Sequence, residues 1–203
     1  MLSNLRINTD RLIRRIKKLG EIGSIDGGGV CRLALSDEDR KGRDQVIDWM
    51  KKLRLDITID KIGNVIALRK GKENVKPVMT GSHIDTVATG GIYDGNLGVL
   101  AGLEVIETFN EANIETNKPV GVGFFTNEEG ARFAPDMMGS GVHQGILDLN
   151  EMLNVKDLEG KRVGDELKKI GYAGKTPTDS FRADCFIELH IEQGPILELE
   201  NYE

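Results

Sequence analysis

The sequence has no apolar run approaching the roughly 20 residues needed to span a bilayer, so no transmembrane segment is expected. Its N-terminus has no short basic region leading into an apolar core, which argues against a secretory signal. Cysteine is scarce: Cys31 and Cys185 are the only two, far apart and in no C-x-x-C spacing. That excludes a cysteine-built metal or dithiol motif and favours reduced thiols in a cytoplasmic setting. An excess of positive charge is also missing. A net charge of -6 and a pI near 5.3 argue against nucleic acid as the main partner. There is no internal repeat, low-complexity tract or linker, so residues 1–203 are expected to form one domain.

At 203 residues, 39% hydrophobic and 30% charged, the chain has an ordinary globular composition and can bury a substantial core. The stretch containing Arg11, Arg14, Arg15, Lys17 and Lys18 also carries Leu12, Ile13, Ile16 and Leu19 at helical spacing. It reads as an amphipathic helix with a solvated basic face. Thr9 or Asp10 can cap that helix, and Gly20 suits its end. Asp26 to Gly29 is a loop, and Ser36 can cap a second helix with Val46, Ile47, Met50 and Leu53 on its buried stripe. Two short strands, Ile57 to Ile59 and Val65 to Leu68, flank a Gly63-Asn64 turn.

Pro77 to Thr80 reads as a buried strand, Asn96 to Phe109 as a helix and Val120 to Thr126 as a further strand. Gly121 and Gly123 of that strand allow close backbone packing. After Gly130 the periodicity weakens into a loop. Val163 to Ile170 is then expected as a short helix and Cys185 to His190 as a strand. Such alternation implies an α/β sheet with helices on its faces.

Polar residues cluster just after three of the apolar strands, where open α/β sheets place their sites. The clusters are Gly81-Ser82-His83-Ile84-Asp85-Thr86 with Gly90 to Asn96, then Thr126 to Phe133, then Glu188-Leu189-His190-Ile191-Glu192-Gln193-Gly194-Pro195. Singly, each has an ordinary explanation: a histidine at a strand end is usually satisfied or exposed, Glu128-Glu129 alone would be a solvated pair, and Asp94-Gly95 alone a turn. Together, the imidazoles of His83 and His190 with the carboxylates of Asp94 and Glu129 make a nitrogen–oxygen set suited to zinc or a similar divalent ion. Asp85 is spaced to accept the second imidazole N–H of His83. Glu128, beside a candidate ligand, is placed to take a proton from attacking water.

These segments, with Met138-Gly139-Ser140-Gly141, closely resemble the amidase, hydantoinase and carbamoylase branch of the binuclear zinc peptidase-like hydrolases, in order along residues 5 to 200. The Glu-Leu-His-Ile-Glu-Gln-Gly-Pro run separates this branch from its peptidase relatives, which place a carboxylate where His190 stands.

The resemblance implies a mixed central sheet with helices on both faces, forming a zinc-peptidase-like catalytic domain. It also implies two divalent ions, zinc first with manganese or cobalt as alternatives. His83 and His190 would hold one ion, Glu129 the other, and Asp94 would bridge them. Glu128 would be the general base, Asp85 the outer partner of His83, and Gln193 a substrate contact. His143 matches no ligand position and is expected to be a surface or loop residue.

The implied reaction removes an N-carbamoyl (ureido) group from a carbamoyl amino acid or an allantoate-like ureide, releasing ammonia and carbon dioxide. No nucleic-acid or membrane partner is implied. Two other readings stay open: a metallopeptidase or aminoacylase, and a non-catalytic remnant. Family members are about twice this length and dimerise as homodimers through a second domain. The sequence therefore reads as an N-terminal half without the last histidine ligand, expected to bind the second ion weakly and to turn over little by itself. A strand leading into the second domain is expected to begin about where the sequence stops at Glu203, just after the Gly194 to Glu198 run.

Overall fold

In the computed structural model, which describes residues 4–202, the alternating apolar and turn segments become seven helices and a five-stranded sheet. Residues 1–3 and Glu203 of the expected domain lie outside the described residues. Helix α1 (Thr9–Gly20) buries Leu12, Ile16 and Leu19, but its cap is Asn8, one residue before the expected pair. The Asn8 side chain accepts the Arg11 backbone N–H at 3.0 Å, satisfying one of the free donors of the first turn. Helix α2 (Asp37–Lys52) is capped by Ser36 as expected, and Val46, Ile47 and Met50 face the core.

The basic face of α1 is only partly solvated. Arg11 meets Glu104 at 2.7 Å and Arg15 meets Glu107 at 2.5 Å, both acids lying on α3 (Asn96–Glu111). Glu104 is fully buried, and a buried carboxylate is tolerable only beside cations. Sequence spacing cannot reveal a partner that lies on another helix.

The sheet comprises β1 (Asp56–Ile59), β2 (Val65–Arg69), β3 (Val78–His83), β4 (Val120–Phe125) and β5 (Cys185–Ile187), in the order β1-β2-β4-β3-β5. β1, β2 and β4 pair antiparallel, whereas β4, β3 and β5 run parallel. The sheet is therefore mixed, as the resemblance implied. Helix α3 crosses over from β3 to β4 and lies against one face. Its Gly102 comes so near that a Cβ there would stand 2.6 Å from Thr80 and 2.8 Å from Val122.

The opposite face carries α4 (Met138–Gln144), whose His143 ring lies 5.8 Å from that of Phe125. A cleft of about 490 Å³ remains on that side, lined by Met79, Phe125, His143 and Phe186 among others. The parallel strands β3, β4 and β5 all end at the same edge, and the three polar clusters follow there.

Three expectations need correction. β3 continues through His83, while β5 stops at Ile187, leaving Glu188 to His190 off the sheet. The segment read as loop contains α4 and α5 (Leu149–Asn154) before α6 (Val163–Ile170). α4 has only seven residues, two of them glycine, between left-handed Met137 and Gly145, too short to show a helical period. After Pro195 the chain makes a single turn, α7 (Ile196–Leu199). The Glu192 carboxylate accepts the Ile196 and Leu197 backbone N–H groups, each at 3.0 Å, and so caps it. Finally, His143 is buried, not a surface residue. Burial draws its pKa below the usual histidine value, because a charged imidazole would lose its hydration there.

Candidate metal centre

His83 ends β3, and its ring is held by its surroundings. Gly95, at φ 63°, passes so close that a Cβ there would lie 2.5 Å from the ring, so glycine is needed for both space and conformation. The Nδ1 atom of His83 lies 2.9 Å from the Asp85 backbone carbonyl. On the other side, the Nδ1 atom of His190 lies 2.8 Å from the Ile191 carbonyl. A carbonyl only accepts, so each Nδ1 must carry its ring's proton, and in a neutral imidazole Nε2 is left with a free lone pair.

Both Nε2 atoms face one oxygen. Asp94 Oδ1 stands 3.7 Å from His83 Nε2 and 3.1 Å from His190 Nε2. Among the described residues that oxygen is buried and accepts no hydrogen bond. His83, Asp94 and His190 thus bring three potential ligand atoms within 4.8 Å of one another. Two imidazole Nε2 atoms, each a ligand when its ring is neutral, and an orphaned carboxylate oxygen fit a divalent cation.

The second strand end supplies the acids. Thr126 leaves β4 and Asn127 turns the chain in a left-handed conformation (φ 52°). Its side-chain amide donates to the Phe133 and Pro135 carbonyls at 2.7 and 3.1 Å, holding the loop together. Glu128 then reaches His83 Nε2 at 3.3 Å through Oε2. Glu129 lies beside it, half-buried and outside the three-residue ligand group. Burial pushes its carboxyl pKa up, and the negative charges of Asp94 and Glu128 push it the same way.

Asp85 sits differently from the sequence expectation. Its main-chain carbonyl, not its carboxylate, orients His83. The carboxylate turns instead to the backbone N–H groups of Glu128 and Glu129, each at 3.3 Å. Asp85 therefore ties β3 to the acid-bearing loop with one residue. Burial pushes its carboxyl up to about 6. Gln193 lies against the cluster, where its amide donates to Asp94 Oδ2. The structure thus gathers His83, Asp94, His190, Glu128 and Gln193, with Glu129 adjacent and Asp85 beneath.

Arg32 escaped the sequence reading. It is fully buried and donates to the carbonyls of Ile84, Leu19 and Ile22 at 2.7, 3.0 and 2.8 Å, and to Asn96 Oδ1 at 2.9 Å. It thereby joins the segments on either side of the histidine loop to α1. A lone arginine outside any motif carries no local signal of such a role.

The sequence pattern of peptidase family M20/M25/M40 matches residues 79–203. The chain is 45% identical over 199 residues to an N-carbamoyl-L-amino-acid amidohydrolase of Rhizobium meliloti, covering 98% of this chain and 48% of that protein. It is 32% identical over 202 residues to allantoate deiminase 1 of Glycine max, covering 95% of this chain and 41% of that protein. Among solved structures, a hydantoinase/carbamoylase family amidase of Burkholderia vietnamiensis superposes with a TM-score of 0.96 at 46% identity, over 98% of this chain and 48% of the other. The chain spans about half the length of the relatives it matches. With the pattern matching well over half of its residues, the chain belongs to peptidase family M20/M25/M40, and the relatives and structures it resembles include that family's hydantoinase/carbamoylase amidases.

Proposed function

We propose that this chain carries the N-terminal, metal-holding part of an amidohydrolase that cleaves the N-carbamoyl group of carbamoyl amino acids or allantoate-like ureides, releasing ammonia and carbon dioxide. The observation that carries this reading is the orphaned Asp94 Oδ1 between two imidazole nitrogens, with Glu128 3.3 Å from one of them. His83, Asp94 and His190 would hold one divalent ion, and Asp94 with Glu129 a second; zinc suits the donors, and manganese or cobalt accept similar ones. Bound there, the ions would supply Lewis acidity, which a ureido carbonyl needs because two nitrogens donate into it.

Glu128 is the general base: it takes the proton of the attacking water and passes it to the departing nitrogen, which would otherwise leave as an amide anion. Asp85 holds the Glu128 backbone, and Gln193 exchanges Asp94 for substrate. The whole enzyme works as a cytoplasmic homodimer on a small ureide, without a nucleic-acid or membrane partner. Among the described residues no helix is long and apolar enough to cross a membrane.

Ammonia release tests this reading. The chain is supplied with zinc, alone and mixed with the separately expressed second half of the Rhizobium meliloti relative. N-carbamoyl amino acids, allantoate and dipeptides are offered in parallel. Turnover of a ureide by the mixture, little by the chain alone and none with Glu128→Gln is the expected pattern. Preferential cleavage of dipeptides would overturn the substrate class. Turnover that survives Glu128→Gln would overturn the base.

A further inference from the structure

Asn64 lies in the turn between β1 and β2, 62 residues before Thr126, and belongs to none of the three site clusters. Its side chain is nevertheless almost fully buried and nearly saturated with hydrogen bonds. The amide nitrogen donates to Asp60 Oδ2 and to the Gly139 carbonyl, both at 2.9 Å, and the amide oxygen accepts the Thr126 backbone N–H at 2.9 Å. Two acceptors and one donor around it permit only one orientation of the amide.

Those partners are the two feet of the acid-bearing loop. Gly139 N–H donates to the Thr126 carbonyl at 2.8 Å, and Met137 N–H donates to the Glu128 carbonyl at 2.7 Å. Asn64 holds the opposite polar groups of the same two feet, the Thr126 N–H and the Gly139 carbonyl. Its side chain therefore acts as a peptide group inserted between strand and helix. Gly139 makes room for it: a Cβ there would lie 2.2 Å from Asn64 Oδ1 and 2.4 Å from Thr126 N. Arg43 adds a second tie, donating to the Gly63 carbonyl at 2.7 Å and to Thr126 Oγ1 at 3.3 Å.

We propose that Asn64 is a positioning residue for Glu128 and Glu129: its amide clasp sets where the chain leaves β4 and so where both carboxylates meet the ion site. The proposal rests on the role given above to that site. Asn64 makes no hydrogen bond to His83, Asp94 or His190, which come from the β3 end, the turn before α3 and the segment after β5, so the two halves of the site should respond separately.

Calorimetric titration of zinc into the full 203-residue chain, as wild type, Asn64→Ser, Glu129→Ala and the double variant, tests it. The wild type should show a triad event and a weaker one that Glu129→Ala removes. Asn64→Ser should leave the triad affinity within about twofold and weaken the second event by about tenfold or more, the scale of losing an outer-shell tie. The double variant should add nothing to Glu129→Ala.

Asn64→Ser that weakens both events equally in a folded chain, or neither, overturns the proposal. A wild type without any Glu129-dependent event overturns the reading of the site itself, and the clasp's role with it. Should Asn64→Ser unfold the chain, the paired change Asp60→Asn with Asn64→Asp keeps the acceptor for Thr126 and a donor between residues 60 and 64, and removes the donor to Gly139 without setting two carboxylates together. An intermediate weakening of the second event is expected from it, and no weakening overturns the proposal.

Discussion

His83 and His190 lie at one level of the sheet edge, each three residues beyond the Thr80–Ile187 pair on adjacent parallel strands, with ring centroids 6.4 Å apart. The parallel register brings both strands to the same edge, and the turn after Ile187 carries His190 on to His83, although the two lie 107 positions apart in the chain. Asp94 then enters between them from the turn that starts α3. The site therefore depends on sheet pairing, and its ligands should respond to anything that disturbs that edge.

Zinc at about one hundred times its dissociation constant should stabilise the chain against urea by about 2.7 kcal/mol, the linkage expected of a ligand bound only by the folded state. Chelation should remove that gain, and His190→Ala should abolish most of it. Equal zinc-dependent stabilisation of wild type and His190→Ala would place the ion elsewhere.

Gly95→Ala should damage fold and site together. The added methyl would meet the His83 ring at 2.5 Å, at a backbone φ of 63°. Left-handed strain costs about 1–3 kcal/mol, and the ring must also move. Urea unfolding with and without zinc should show a loss of that size, together with weaker ion stabilisation. An equal loss with and without zinc would argue that the ring's position is unimportant to the ion.

Asp60 gives a pH dependence with a definite sign. Burial pushes its carboxyl up to about 6, against the lowering effect of the Asn64 and Ile62 hydrogen bonds. Because its folded value lies above the unfolded one, the folded state binds the extra proton between pH 4 and 6. Its contribution is fully present below about pH 4 and lost as pH rises through 6, a change of about 3 kcal/mol for two pH units. Asp85 is raised in the same window, so Asp60→Asn should reduce the slope of stability against pH without abolishing it. An unchanged slope in urea titrations from pH 4 to 7 would show that Asp60 ionises normally.

Arg32→Met should cost about 3–5 kcal/mol. It would leave the Ile22 and Ile84 carbonyls and Asn96 Oδ1 without their donor, while the Leu19 carbonyl keeps the Ile22 N–H, and each unsatisfied buried acceptor costs about 1–3 kcal/mol before relaxation. Denaturant midpoints at fixed m-value measure it. A cost under about 1 kcal/mol would mean that water reaches these carbonyls.

Much of the fold was legible because its signals are local. Val46, Ile47 and Met50 mark a helix by their spacing, Ser36 caps it, and Gly121 announces a close approach within β4, although Gly123 has only ordinary contacts. The three polar clusters after β3, β4 and β5 were legible for the same reason: each is a short run placed just after an apolar strand. α4 and α5 escaped because helices of seven and six residues are too short for a period to accumulate.

By itself the sequence determined which residues have the chemistry for the site and that strand ends carry them. Tertiary structure alone decided how they are used. Asp85 offers His83 its carbonyl and sends its carboxylate to Glu128 and Glu129. Arg11 and Arg15 find Glu104 and Glu107 on another helix, His143 turns inward, and Asn64 clasps a loop 62 residues away. Spacing along the chain records local periodicity and turn chemistry. The direction of a side chain and its distant partner are set by which strands become neighbours and which buried polar groups must be satisfied once water has left.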